Sequence, residues 1–120
     1  MPDLKDYGIA LLGTLSGVDM KTAASTTIFT TTPAKTTRIA YVVVRDTSAS
    51  LAGGTSYSFT NFRQTVDLSS LTTLGTDYIM LDGNNAKYTE IAGSTAFQIT
   101  VTTGSTAACT ATIDVFGYQV

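Results

Sequence analysis

The 120 residues contain no histidine and a single cysteine, Cys109. Imidazole is the commonest general base near neutral pH. Its absence removes Ser-His-Asp and Cys-His nucleophilic arrangements and every histidine-containing zinc site. One thiol can form neither a thiolate cluster nor an internal disulfide. Carboxylates and lysines remain as possible acids, bases and nucleophiles. Glu90 is the sole glutamate, and Lys5, Lys21, Lys35 and Lys87 fall in polar segments, where solvation keeps an amine protonated. Neither a carboxylate pair nor a Ser-Lys dyad is signalled, so the expectation is a protein that is not an enzyme. Asp82-Gly83-Asn84-Asn85 offers oxygen ligands, but no acidic residue follows at the spacing of a helix-loop-helix calcium loop, and the run reads as a turn. Gly53-Gly54 and Gly104 do not lead a strand into a helix beside a lysine, as a phosphate loop requires. No metal or cofactor is expected. Tyr57, Tyr78 and Tyr88 could serve as sugar platforms, although tryptophan is absent and each also fits a core or sheet-face position.

Any site must therefore be a surface, and the elements that would carry it read as strands. β-branched and aromatic runs recur between clusters of Gly, Asn, Asp and Ser, which predicts an all-β chain. Ala96 to Thr103 alternates strictly, with Phe97, Ile99 and Val101 on one face and Gln98, Thr100 and Thr102 on the other. Gly104-Ser105-Thr106-Ala107 reads as a hairpin connection. Beyond it Cys109, Ala111, Ile113 and Val115 continue the inward set, while Thr110, Thr112 and Asp114 point outward. Cys109 is then a small core residue rather than a reactive thiol. Phe116 and Tyr118 fall on the outward side, where either the chain's own N-terminal segment or another subunit must cover them.

Thr36 to Arg45 has apolar residues on both parities from Ile39 to Val44, as expected of a central strand with one side on the core and the other at an interface. Further strands are predicted over Leu15 to Lys21, Thr26 to Thr32, Thr55 to Phe62, Asp77 to Leu81 and Lys87 to Ile91, giving about eight. Asp46 to Gly54 reads as a long exposed loop; Val66, Leu68, Leu71 and Leu74 fit either a strand followed by a turn or one short helical turn, and Val66 to Gly75 is read as a loop. Residues 1–12 form an N-terminal arm or short helix: Leu4, Tyr7 and Leu11 stand at helical spacing, but Gly8 interrupts it. Residues 13–120 form one β-sandwich domain.

Charged residues make up 13% of the chain, about half the usual share, while hydrophobic residues reach 43% and mean hydropathy is +0.20. Threonine, about a fifth of the residues, supplies a neutral wet coat. A folded monomer of this size exposes roughly 6,200 Å², so its seven Lys/Arg and nine Asp/Glu side chains leave about 390 Å² for each. Such weak charging favours an oligomer or a domain docked on a larger body. A net charge of −2 with scattered basic residues leaves no footprint for a phosphate backbone, and nucleic acid is not expected as a partner. The start lacks a basic leader, and Ile9 to Leu12 is too short an apolar run for a signal peptide or a membrane span, so synthesis in a cytoplasm is expected.

A threonine-rich, histidine-free chain with the late strand Ala96-Phe97-Gln98-Ile99-Thr100-Val101, a small-residue turn, and the closing strand Ala111-Thr112-Ile113-Asp114-Val115-Phe116-Gly117-Tyr118 resembles the small decoration, or cement, proteins of tailed-bacteriophage capsids. The resemblance covers mainly the last third. It implies a jelly-roll sandwich, commonly trimeric, bound outside the major capsid protein shell of a virion and strengthening it against genome pressure. It also implies a gripping terminal arm, for which Pro2 to Leu12 is the candidate. Subunit or capsid contacts are accordingly expected at Leu4, Tyr7, Leu11, Tyr41, Val43, Phe116 and Tyr118. The alternative is a receptor-binding or tail-tip sandwich that recognises a glycan or cell-surface protein through loops such as Asp46 to Gly54.

Overall fold

Strands form where β-branched and aromatic residues alternate with hydroxyl side chains, in a computed structural model that describes residues 9–61, 65–72, 79–81 and 90–120. Among the described residues there are eight strands and no helix: β1 (Ala10–Asp19), β2 (Ser25–Thr30), β3 (Thr37–Arg45), β4 (Ser56–Phe59), β5 (Ile79–Leu81), β6 (Glu90–Ile91), β7 (Ala96–Thr103) and β8 (Thr110–Gln119). Each expected strand is represented. The first begins earlier than its alternation foretold, so Ala10, Leu11 and Leu12 of the expected arm lie within β1. Leu4 and Tyr7, the turn at residues 82–85, Tyr78 and Tyr88 lie outside the described residues.

Two antiparallel sheets enclose the core. The larger has the order β1-β8-β3, with β5 and β6 set end to end along the far side of β3. The smaller has the order β2-β7-β4. Ile39, Val42, Val44, Ala111, Ile113 and Val115 enter the core from the larger sheet, and Tyr57, Phe59, Phe97, Ile99 and Val101 from the smaller. Phe97 lies between Phe29 and Phe59, with ring centroids 5.6 and 6.0 Å away. Full burial of each aliphatic or aromatic side chain contributes about 1.5–3 kcal/mol, so this shared interior is the main force holding the layers together.

The expected β7–β8 hairpin is not made. Both strands exist and both inner faces are as read, but β7 lies in the smaller sheet and β8 in the larger. The connection follows the β1–β2 corner instead of turning back: Ser105 N–H donates to the Met20 carbonyl at 3.0 Å, and Met20 N–H to the Cys109 carbonyl at 2.8 Å. A Cβ on Gly104 would collide with the Lys21 carbonyl, so glycine lets the two corners touch. Two strands with equally apolar inner faces lie opposite rather than beside each other, because each then covers the other's core face.

The result is one long antiparallel ribbon. β1 pairs with β8, β2 with β7, and β3 with β6. Backbone hydrogen bonds continue across both corners, from Val101 N–H to the Ala24 carbonyl at the first and between Thr31 and Thr95 at the second. The buried Thr31 hydroxyl also ties the second corner, donating to the Ala92 carbonyl at 2.7 Å.

The loop expected to be exposed between Asp46 and Gly54 is anchored. Leu51 is fully buried and its N–H donates to the Leu71 carbonyl at 2.8 Å. Leu68 and Leu71, from a segment read as a loop, are buried beside it in the same core, and Leu68 N–H bonds the Gly54 carbonyl at 3.0 Å. The Ser, Ala and Gly content announced a loop correctly but concealed that its one leucine belongs to the core.

Candidate interaction surface

The outward positions of β1, β8 and β3 line up in rows across the larger sheet. Antiparallel register sets Leu11, Phe116 and Tyr41 in one row. Thr14, Asp114 and Val43 form the next, followed by Thr112 and Arg45. On the other side of the Phe116 row stand Tyr118, Arg38 and Glu90. Five of the seven expected contact residues, Leu11, Tyr41, Val43, Phe116 and Tyr118, thus share one face.

Two irregularities create this grouping. β3 carries an extra residue between Ile39 and Tyr41, and β1 one between Leu11 and Gly13, both opposite the Val115–Gly117 stretch of β8. The β3 bulge moves Ile39, Val42 and Val44 to the core and Tyr41 and Val43 to the outside, which explains much of the apparent two-faced pattern of this strand. Gly117 is required between them. A Cβ there would collide with the Arg38 carbonyl oxygen, so any other residue would push β3 away from β8.

The centre of the face is apolar. Phe116 and Tyr41 stack with centroids 4.8 Å apart, both half-buried, and Leu11 is 53% exposed beside Phe116 in register. Arg38 lies over the Tyr118 ring, 6.0 Å from its centroid, and pairs with Glu90 at 3.0 Å. At the other end Arg45 binds Asp114 at 2.7 Å and also contacts Asp46, while the Thr14 hydroxyl donates to Asp114 at 2.5 Å. Asp114 is only 8% exposed. Hydrogen bonding from the Arg45 guanidinium outweighs burial and, with Thr14, holds this carboxyl below the ordinary carboxylate range.

Sequence reasoning marked Asp114 as an outward residue but missed its ion pair, and it assigned no role to Thr14, Arg38, Arg45 or Glu90. Outward parity was the available signal; their pairing depends on register between strands far apart in the chain. Two other candidates are internal. Tyr57 is fully buried, its hydroxyl donating to the Met20 carbonyl at 2.8 Å, and burial pushes its phenol up to about 12. Cys109 is buried, with Sγ 3.3 Å from the Ala49 carbonyl.

The smaller sheet's outer face has a different chemistry. β2, β4 and β7 contain no charged residue. Ser25, Thr100 and Ser58 form one row, and the Ser25 and Thr100 hydroxyls bond each other at 2.8 Å. Gln98 donates to the Thr27 hydroxyl at 3.0 Å in the next. Comparison with protein-family models, curated proteins and solved structures found no match to this chain.

Proposed function

We propose that this chain is a structural protein acting through its surfaces, a decoration protein bound outside a viral capsid shell. The observation that carries the surface-acting part of this reading is the gathering of Leu11, Tyr41, Val43, Phe116 and Tyr118 on one face with an apolar centre and a charged rim, the anatomy of a protein–protein contact. The resemblance of the closing strands to capsid decoration proteins supplies the major capsid protein as the body that the chain decorates. A jelly roll is supported by the nested pairs β1 with β8, β2 with β7 and β3 with β6, which wrap one ribbon into two layers. β5 departs from an even division into four and four, since it lies along β3. Many copies, each adding a contact of ordinary size, can stabilise a shell without any single tight bond.

The receptor-binding alternative draws less support. Its loop at residues 46–54 is tied to the core through Leu51, and Tyr57 is buried and unable to stack on a sugar. Electron cryomicroscopy of particles assembled with and without the chain tests the proposal. Added density on the outside of the shell, with a higher temperature of genome release, is expected. Density at the tail tip would transfer the assignment to the receptor module, and no density on either would refute both.

A further inference from the structure

We propose that the outer face of the larger sheet is the contact between copies of this chain. The inference rests on the surface-acting reading above and decides which partner this face meets. Three properties select a second copy. First, the two cations described on this face are already paired: Arg38 with Glu90, and Arg45 with Asp114 and Asp46. A polyanion or an acidic patch would compete there with carboxylates already in place and would bring repulsion from Glu90, Asp46 and Asp114. A surface with the same apolar centre and the same self-neutralised rim brings no unmatched charge to the contact, and another copy has that surface by construction.

Second, each of these outward rings already has a neighbour on one side within the face. Phe116 and Tyr41 stack on each other, and Tyr118 has Arg38 over it. A sugar needs a free ring face, whereas an opposing sheet can interdigitate with ring edges and with Leu11, as the inner faces of a sandwich do. Third, the size fits. A ten-residue strand is about 34 Å long and four strand rows span about 19 Å, giving about 650 Å², near the roughly 800 Å² each partner gives to a standard interface. Leu11 at 53% and Ile9 at 49% exposure are two of the most exposed large hydrophobic residues described; Leu11 lies near the start of β1 and Ile9 immediately precedes it.

Size-exclusion chromatography with light scattering on the full chain tests this, alongside Leu11→Asp, Tyr41→Asp and Phe116→Asp, and with Thr100→Asp on the opposite sheet as the control. Circular dichroism melting establishes folding; Leu11 is exposed enough that its variant keeps the fold even where Phe116→Asp does not. The wild type is expected as a multimer, with Leu11→Asp and Tyr41→Asp weakening association by about tenfold or more and Thr100→Asp leaving it unchanged. A wild type with the mass of one chain, a multimer that survives both substitutions, or an equal loss with Thr100→Asp would overturn the proposal. A monomer that still binds shells would remove this contact and leave the decoration reading intact. A multimer dissolved by these substitutions that binds no particle would keep the contact and remove the decoration reading.

Discussion

The two broad outer faces of the sandwich are built from the same kind of strand and solve the problem of exposure differently. The smaller sheet turns hydroxyls and an amide outward and satisfies them sideways, Ser25 with Thr100 and Gln98 with Thr27. No charge is needed, since each such group also bonds water. The larger sheet turns outward two stacked rings, a leucine and two arginines held in ion pairs. Its polar groups are committed to one another and its apolar groups are only half covered. Solvent suits the first face and a partner suits the second, because a partner would remove Leu11, Tyr41 and Phe116 from water without disturbing the pairs around them.

Perturbing the larger sheet should therefore cost more than perturbing the smaller one, and the differences can be ranked. Gly117→Ala is expected to have the largest effect, about 2–3 kcal/mol of lost stability in denaturant unfolding, because the obstacle to a Cβ is the backbone of β3 and cannot rotate away. A loss below about 0.5 kcal/mol would mean that β3 and β8 are not locked as described.

Asp114→Asn follows, at about 1–2 kcal/mol near neutral pH, since it weakens the bonds to Arg45 and Thr14 on a nearly buried carboxyl. The folded-state pKa of Asp114 is depressed, so its contribution is complete above the unfolded value near 4. It disappears as pH falls through the lower folded value. Wild-type stability should accordingly fall on acidification below about pH 4, and the variant's curve should be flatter there. Asp19, bonded by the Lys21 and Thr22 amides, and Asp67, bonded by the Ser69 hydroxyl and amide, are also depressed and will keep part of the acid dependence. Identical acid limbs in the two proteins would show that the pair is energetically idle.

The stacked rings should be coupled. A double-mutant cycle of Tyr41→Ala and Phe116→Ala, read by thermal or chemical unfolding, is expected to give about 0.5–1.5 kcal/mol of interaction. The smallest effect belongs to the smaller sheet. Ser25→Ala should change stability by less than about 0.5 kcal/mol, because the Thr100 hydroxyl it leaves is exposed to water. A larger loss would break the contrast between the faces.

The strands were legible because alternation is local. Phe97, Ile99 and Val101, and then Ala111, Ile113 and Val115, declare their inner sides through spacing alone, and all are buried. The pairing of those strands was not legible, since proximity in sequence favoured a hairpin while the core was better closed by putting the two in opposite layers. Bulges were hidden for the same reason. The extra residue between Ile39 and Tyr41 makes a strand look apolar on both faces until its register with β8 is known. The outward placement of Phe116 and Tyr118 was legible from the parity of β8, whereas that of Tyr41 and Val43 depended on the bulge. What escaped notice was the ring of paired charges around them, which joins residues such as Arg45 and Asp114 that are distant in sequence.

The amino-acid sequence by itself determined that this chain would be all-β, that its chemistry would lack imidazole and thiolate clusters, and which side of most strands would be apolar. Those properties follow from residue type and a two-residue period. The tertiary structure alone decided that the chain folds as one nested ribbon and that Leu11, from β1, joins Tyr41 and Phe116 in a single row. Neighbours in a sheet are chosen by which arrangement buries the most apolar surface across the whole chain, and that choice is made between strands about a hundred residues apart as readily as between adjacent ones.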